Sequence, residues 1–423
     1  MRALNAWIED RRIGLFTESP QSDGTSIYSF EYTEPTDKDI VSLTMVPIEG
    51  ELRFESRIFP PPFDMILPEG DRRTRLEDAR KVLRADSFSL LSYVGANPVN
   101  RVRFIPTDET PREEPPPIPT PKEIEGTENG RELFRQILEA TDLRQGVAGV
   151  QPKVLGTSSP QKLSADLRQF RGSTHLLKGS ANRYPYLAAN ERTCLKVFAT
   201  AGISVPKTTL SADGELLLVE RFDLKEDKRL VGFEEAAALL GETSATKFDR
   251  DYGTMIEVLC EFISPTQHAH ARSTLIKCIL LNHLLGNGDA HLKNFGVLYE
   301  DSASVTLAPA YDCVSTLPYI ANDVPALNLS FEWYSKAWWP RIKIEEFSIQ
   351  YGWLTRNELS DHIEECCDAV MEGKRELDHL GKEMPGFRDL AGEIAALWAS
   401  RVKQFSSDES ILEKRKWSKA ARD

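Results

Sequence analysis

No apolar run in this chain is long enough to cross a bilayer. The longest, residues 276–285, is interrupted by Lys277 and His283, whereas a membrane-spanning helix needs about 20 apolar residues. The start of the chain lacks an apolar segment ahead of the charges at Glu9, Asp10, Arg11 and Arg12, so no secretory signal is expected there. Cysteine is scarce: six residues, none at C-x-x-C spacing, most of them inside apolar segments, with Cys366 and Cys367 adjacent. Such usage suits neither a disulfide framework nor a zinc site, and it points to a reducing cytoplasm. Positive charge is short as well, with 52 Lys and Arg against 65 Asp and Glu, a net −13. Over most of the surface nothing would offset the repulsion of phosphates, so direct nucleic-acid binding is not expected, while a basic partner is accommodated.

What is present is a globular composition spread over 423 residues, more than one ordinary core can hold, so two or three domains are expected. Residues 3–17 read as a hairpin, with Leu4, Ala6 and Ile8 alternating before a charged turn. Strand-like pieces follow at 26–32, 40–46 and 52–54. A charged helix is expected over 71–85, a short one over 87–94, and a closing strand over 102–105. This first unit, residues 1–105, is a small α+β body with no evident chemistry. Residues 106–122, PTDETPREEPPPIPTPK, are too rich in proline for helix or ladder and read as an extended linker, placing a boundary region at 106–129.

A helix over 130–140 opens the next unit, expected to run to residue 223. LRQGVAGVQPKVLG, residues 143–156, is neither a P-loop nor a G-x-G-x-x-G loop. Glycines between strand-like flanks suit close approach of backbone to phosphates, though a plain hairpin is the simpler reading. The strand 174–178 ends in Lys178, either a solvated strand end or a phosphate-binding ammonium. Residues 186–201 read as a helix, and Glu191 on it is available to pair with Lys178. Two strands, 203–210 and 214–223, end in Glu220-Arg221-Phe222-Asp223, a place where an adenine could meet backbone groups. Helices are expected over 233–240, 254–262 and 275–285. Beyond residue 317, Tyr319, Phe331, Trp333, Tyr334, Trp338 and Trp339 form an aromatic patch that fills a core or docks a protein. Amphipathic helices fill 354–404, and the tail 414–422 is basic.

The densest chemistry lies in GNGDAHLKNFG, residues 286–296. A loop carrying a carboxylate, a carboxamide, an imidazole and an ammonium must find partners for all of them. Binding phosphate and a metal ion would supply those partners. Asp289 and Asn294 stand at D-x-x-x-x-N, the interval between base and metal-ligand asparagine in a kinase catalytic loop. Asp312, in PAYDCVST, adds a second hard ligand for Mg²⁺. A polar turn explains one such aspartate more simply than all three groups together.

The order GVQPK, strand lysine, VERFD, GNGDAHLKNFG and PAYDCVST resembles the HipA-like serine/threonine kinases, the kinase toxins of bacterial toxin–antitoxin modules. WIEDRRIGLFTE and ILPEGDRR resemble that family's first subdomain. The resemblance implies an α+β, two-lobed, protein-kinase-like fold with a β-rich N-terminal subdomain and an all-helical C-terminal lobe over 224–423. It implies ATP and Mg²⁺ as cofactors, Asp289 as catalytic base, and Asn294 and Asp312 as metal ligands. It implies a phosphate-contacting loop at Val147, Ala148, Gly149, Val150, Gln151 and Lys153, with Lys178, His291 and Lys293 as further nucleotide contacts and Glu220 and Phe222 at the adenine. The substrate implied is a cytoplasmic protein, an aminoacyl-tRNA synthetase being the best motivated. The partner implied is a small helix-turn-helix antitoxin, through which any DNA contact would be indirect; no membrane is involved. Family toxins often carry an autophosphorylated serine just before the mobile loop, where this chain has Gly146. GANPVNRV, residues 95–102, also departs from the family's acidic, glycine-rich turn. A small-molecule phosphotransferase and a nucleotide-binding pseudokinase serving as a repressor partner are the competing readings.

Overall fold

The computed structural model describes residues 1–69, 73, 86–111, 117–140, 145–146, 153–158, 174–227, 229–330 and 337–412. The expected helix over 71–85, the loop residues Val147 to Gln151, the aromatics Phe331, Trp333 and Tyr334, and the basic tail therefore lie outside the described residues, Arg73 excepted. The chain forms two compact units, Met1–Arg183 with Lys207–Thr246 and Gly296–Ala308, and Tyr184–Pro206 with Lys247–Phe295 and Pro309–Asp423. It passes from one to the other more than once, which single boundaries at 105, 129 and 223 do not express.

The first unit opens on an antiparallel sheet ordered Arg53–Ser56, Ser26–Tyr32, Arg11–Pro20, Arg2–Ile8, Val102–Pro106. The hairpin expected over 3–17 forms, with Leu4 facing Phe16 across the ladder. Alternation puts Leu4, Ala6, Phe16 and Phe30 on one face, and Ile13, at a register shift in the ladder, joins the same core against Phe63, Phe88 and Leu91 from two short helices, Pro61–Asp64 and Ser87–Val94. The rings interlock edge to face, Phe16 to Phe63 at 4.8 Å between centroids. Residues 40–46 make no strand. They turn, and Ile40, Val41 and Leu43 are buried all the same. Tyr32 replaces the ladder partner: its hydroxyl accepts the Val41 N–H at 2.9 Å and donates to the Met45 carbonyl at 2.6 Å.

A second sheet is ordered Thr208–Leu210, Leu216–Glu220, His175–Gly179, Lys153–Ser158, Pro117–Ile118. The proline-rich stretch is thus partly ordered rather than an extended linker. Pro117–Ile118 pairs in parallel with Thr157 and Ser158 at the sheet edge, and Pro121–Glu125 is helical behind a Thr120 capping box. An edge position and the first helical turn are where a missing N–H costs least. Ile118 and Ile124 join Phe134, Val154, Leu177 and Leu216 in one core.

A third sheet, Gly232–Glu235, Gly296–Tyr299 and Val305–Leu307, completes the unit. The helix expected over 233–240 shrinks to Ala236–Leu239. Pairing of Glu234 with Val297, and capture of its carboxylate by Ser42 Oγ at 2.6 Å and the Leu43 N–H at 2.8 Å, override local helical preference.

The second unit has no strand among the described residues. Its helices include Leu187–Thr200, Tyr252–Phe262, His268–Leu285, Arg341–Gln350, Arg356–Glu383 and Arg388–Ser407. Asp251 caps the second of these and a Thr355 capping box the fifth. Trp398 is fully buried at the centre.

Candidate active site

The site of the second unit is built at the end of His268–Leu285. Gly286 stops this helix in the left-handed region, φ 67°, where its N–H reaches back to the Asn282 and His283 carbonyls. A Cβ there would also lie 2.6 Å from Leu317 Cδ1. The other terminal carbonyls are claimed by side chains. His283 C=O accepts from Arg401 Nε and Nη2 at 3.0 and 2.6 Å, and Leu285 C=O from Ser315 Oγ at 2.6 Å and Trp398 Nε1 at 3.2 Å. The Arg401 guanidinium lies 4.2 Å from the Trp338 centroid, and burial pushes its pKa down to about 10. His283, buried against Trp338, Trp339 and Phe405, is held neutral by the same desolvation.

Two buried carboxamides shape the next turn. Asn287 Nδ2 donates to Asn282 Oδ1 at 2.7 Å, and Asn287 Oδ1 accepts the Asp289 N–H at 3.0 Å. Gly288 donates its N–H to Thr316 Oγ1 at 2.7 Å. Asp289 emerges with its side chain 57% exposed, its Oδ1 3.8 Å from Nε2 of His291, which is buried. The Ala290 carbonyl takes the Tyr252 hydroxyl at 2.9 Å. Leu292–Asn294 is one 3-10 turn, with Lys293 buried, and Asn294 Nδ2 folds back onto the Asp289 carbonyl at 2.7 Å.

The Asp312 loop is tied to this one. Tyr311 donates its hydroxyl to the Lys293 carbonyl at 2.7 Å, and Thr316 N–H reaches the Gly286 carbonyl at 3.1 Å. Ser315 is held by Asn190, which accepts its N–H and donates to its carbonyl, both at 2.9 Å. Asp312 itself sits at φ 52°, a conformation that costs on the order of 1–3 kcal/mol and gathers at functional sites. Beside it, Cys313 is buried and its thiol pKa is raised well above the usual range by desolvation, so it is an inert packing group. Asp289, Asn294, Asp312, His291 and Lys293 all lie in the second unit, on two loops bonded to each other.

Lys153, Lys178, Glu220 and Phe222 belong to the first unit. Lys178 is only 2% exposed and stands directly opposite Lys153 in the antiparallel ladder. Two ammonium groups on one sheet face favour an anion beside them. Glu220 ends its strand with its carboxylate 3.6 Å from Lys207, and the Phe222 ring packs edge-on to Phe233 at 5.3 Å. Of the aromatic patch, Trp338 and Trp339 pack on His283, and Tyr319 donates to the Pro185 carbonyl at 3.0 Å.

Sequence reading passed over Asn282, Asn287, Thr316 and Arg401. Asn287 and Thr316 stand inside the two quoted motifs and could have been found there. Asn282 sits one turn before the glycine, and nothing in the sequence marks Arg401.

A profile described as the HipA N-terminal domain matches residues 4–105, and one described as the HipA-like C-terminal domain matches residues 145–373. The chain belongs to the HipA family. It is 29% identical over 333 residues to the Sinorhizobium fredii protein named "Putative kinase Y4mE", covering 75% of this chain and 78% of that protein. It is 26% identical over 274 residues to the serine/threonine-protein kinase toxin HipA of Shewanella oneidensis, covering 60% of this chain and 62% of that one. A solved structure of a Shewanella oneidensis HipA, HipB and operator DNA complex matches with a TM-score of 0.69 at 18% identity, over 95% of this chain and 97% of that chain. The fold is therefore the kinase-like HipA fold.

The donor set suits magnesium. Mg²⁺ takes one or two carboxylates and fills its octahedron with water and phosphate. Asp312 offers a carboxylate. With the Asn294 nitrogen committed to the Asp289 carbonyl, its amide oxygen is the atom it could offer a cation.

Proposed function

We propose that this HipA-family kinase transfers the γ-phosphoryl group of ATP to a serine or threonine hydroxyl of a protein. Asp289 accepts the hydroxyl proton as the substrate oxygen bonds to the γ-phosphorus. The bond from that phosphorus to the β–γ bridging oxygen breaks, and ADP departs with its electron pair. Asn294 and Asp312 are the residues that would hold Mg²⁺, which would supply positive charge to offset charge on the transferring phosphate. Lys178 and Lys153, opposite each other in the first unit, are the ammonium groups suited to neutralise phosphate oxygens. Glu220 and Phe222 receive the adenine, and buried His291 and Lys293 support the loop that carries the base.

One observation carries this reading. The Asp289–Asn294 turn and the Asp312 loop are bonded to each other at Gly288–Thr316 and at Lys293–Tyr311. A solvated polar turn has no need of such a lock; a base and two metal ligands that must keep fixed separations do. An aminoacyl-tRNA synthetase is the substrate the family resemblance motivates. A small helix-turn-helix antitoxin is the partner the family resemblance motivates; the solved Shewanella complex holds HipA with HipB and operator DNA.

The test is Asp289→Asn. Transfer of labelled phosphate from Mg-ATP to lysate proteins should fall by at least about 10²-fold, since general-base catalysis contributes on that order. Nucleotide affinity should stay within about twofold, because Asp289 faces the hydroxyl rather than the nucleotide. Unchanged transfer would remove Asp289 from the mechanism.

A further inference from the structure

We propose that Thr316 and Asp323 form a positioning pair that fixes the turn carrying Asp289. The proposal rests on the reading of Asp289 as the base. The Thr316 hydroxyl has one proton and three polar neighbours. Gly288 can only donate, so the oxygen accepts its N–H at 2.7 Å. The remaining choices for the proton are the Gly286 carbonyl at 3.1 Å and the Asp323 carboxylate, which is closer. A charged acceptor at shorter range wins. The proton therefore points to Asp323, and a lone pair is left aimed at Gly288, one residue before Asp289.

Asp323 is itself held. Its other carboxylate oxygen accepts the Val324 N–H at 3.0 Å, and its carbonyl accepts Trp338 Nε1 at 2.9 Å. A second observation points the same way: a Cβ built on Gly288 would collide with the Asp323 carboxylate. The backbone before the base thus lies directly against this side chain, and a larger residue there would have to push the carboxylate away. Asn287 holds the Asp289 N–H from the other side, so the turn is clamped between two polar groups. Displacing a base by an ångström is enough to cost on the order of 10²-fold in rate.

The experiment compares wild type, Thr316→Val, Thr316→Ser and Asp323→Ala. Two quantities are read: hydrogen exchange at the Gly288 amide, and kcat and KM for Mg-ATP with casein as acceptor. Thr316→Val should lose protection at Gly288 and lower kcat on the order of tenfold or more, with KM for ATP within about twofold. Thr316→Ser should restore both. Asp323→Ala, at a partly exposed position where misfolding is less of a risk, should fall between. Gly288 protection in Thr316→Val equal to wild type would overturn the proposal. So would loosened exchange with unchanged kcat, which would confine the pair to stability. Asp289→Asn run alongside separates the two readings. If Asp289→Asn is as active as wild type, the base assignment fails while the exchange result still decides the pair.

Discussion

Glu234 is 5% exposed, and desolvation raises its carboxyl pKa from 4.5 to about 7. Ser42 and Leu43 donate to it and the Arg101 guanidinium favours the charged form, but neither offsets burial; the other groups that feel its charge are Tyr32 and Tyr299. The sign follows directly. Below pH 4.5 the group is protonated whether the chain is folded or not. Between 4.5 and about 7 the unfolded chain releases the proton and the folded chain keeps it, so stability falls as pH rises through this window. The full span is on the order of 3 kcal/mol. Glu234→Gln, neutral throughout, should lack this slope. Thermal unfolding of both proteins across the window measures it, and parallel curves would show that Glu234 stays ionised. No feature of GFEEAAALL identified this residue in the sequence. Its burial comes from Ser42 and Leu43, about 190 positions away in the chain, and partners so distant leave no local pattern.

Helix ends show the same dependence on distant chain. His268–Leu285 was expected as a helix from residue 275, and its C-terminal stop was legible because Gly286 is the residue a left-handed cap selects. The cation that serves this end, Arg401, comes from the last long helix and was not legible. A positive charge there complements the helix dipole, and its two N–H groups satisfy the His283 carbonyl. Arg401→Met should cost about 1–3 kcal/mol, and Arg401→Lys less, since lysine restores charge without the fork. Denaturant midpoints read this, and an unshifted midpoint in Arg401→Met would mean that Gly286 alone caps the helix. Elsewhere the hairpin, the strand bearing Lys178 and the amphipathic helices were legible because one period, 2 or 3.6, ran through each. Residues 40–46 and 233–235 misled because tertiary hydrogen bonds decided them. The proline stretch misled because two of its prolines take positions where a missing N–H does no harm.

For the molecule as a whole, a net charge of −13 leaves no overall basic excess to offset phosphate repulsion. Whether the kinase can restrain itself by autophosphorylation turns on Gly146. The family resemblance implies a brake in which a serine, often present at this position, is autophosphorylated. A phosphoserine brings about −1.5 to −2 charges to the place where nucleotide phosphates must sit, and finds new donors that draw the loop away. Glycine has no hydroxyl, and residues 143–153 contain no serine or threonine at all. Incubation with Mg-ATP should therefore leave activity intact and place no phosphate on that segment. Gly146→Ser should create a modifiable site and, with it, a progressive loss of activity. Intact mass, peptide mapping and an activity time course on both forms decide the matter. Loss of wild-type activity together with phosphate at Thr157, Ser158 or Ser159 would mean that the brake has shifted along the chain. Without such a shift, phosphorylation at this segment does not restrain the kinase.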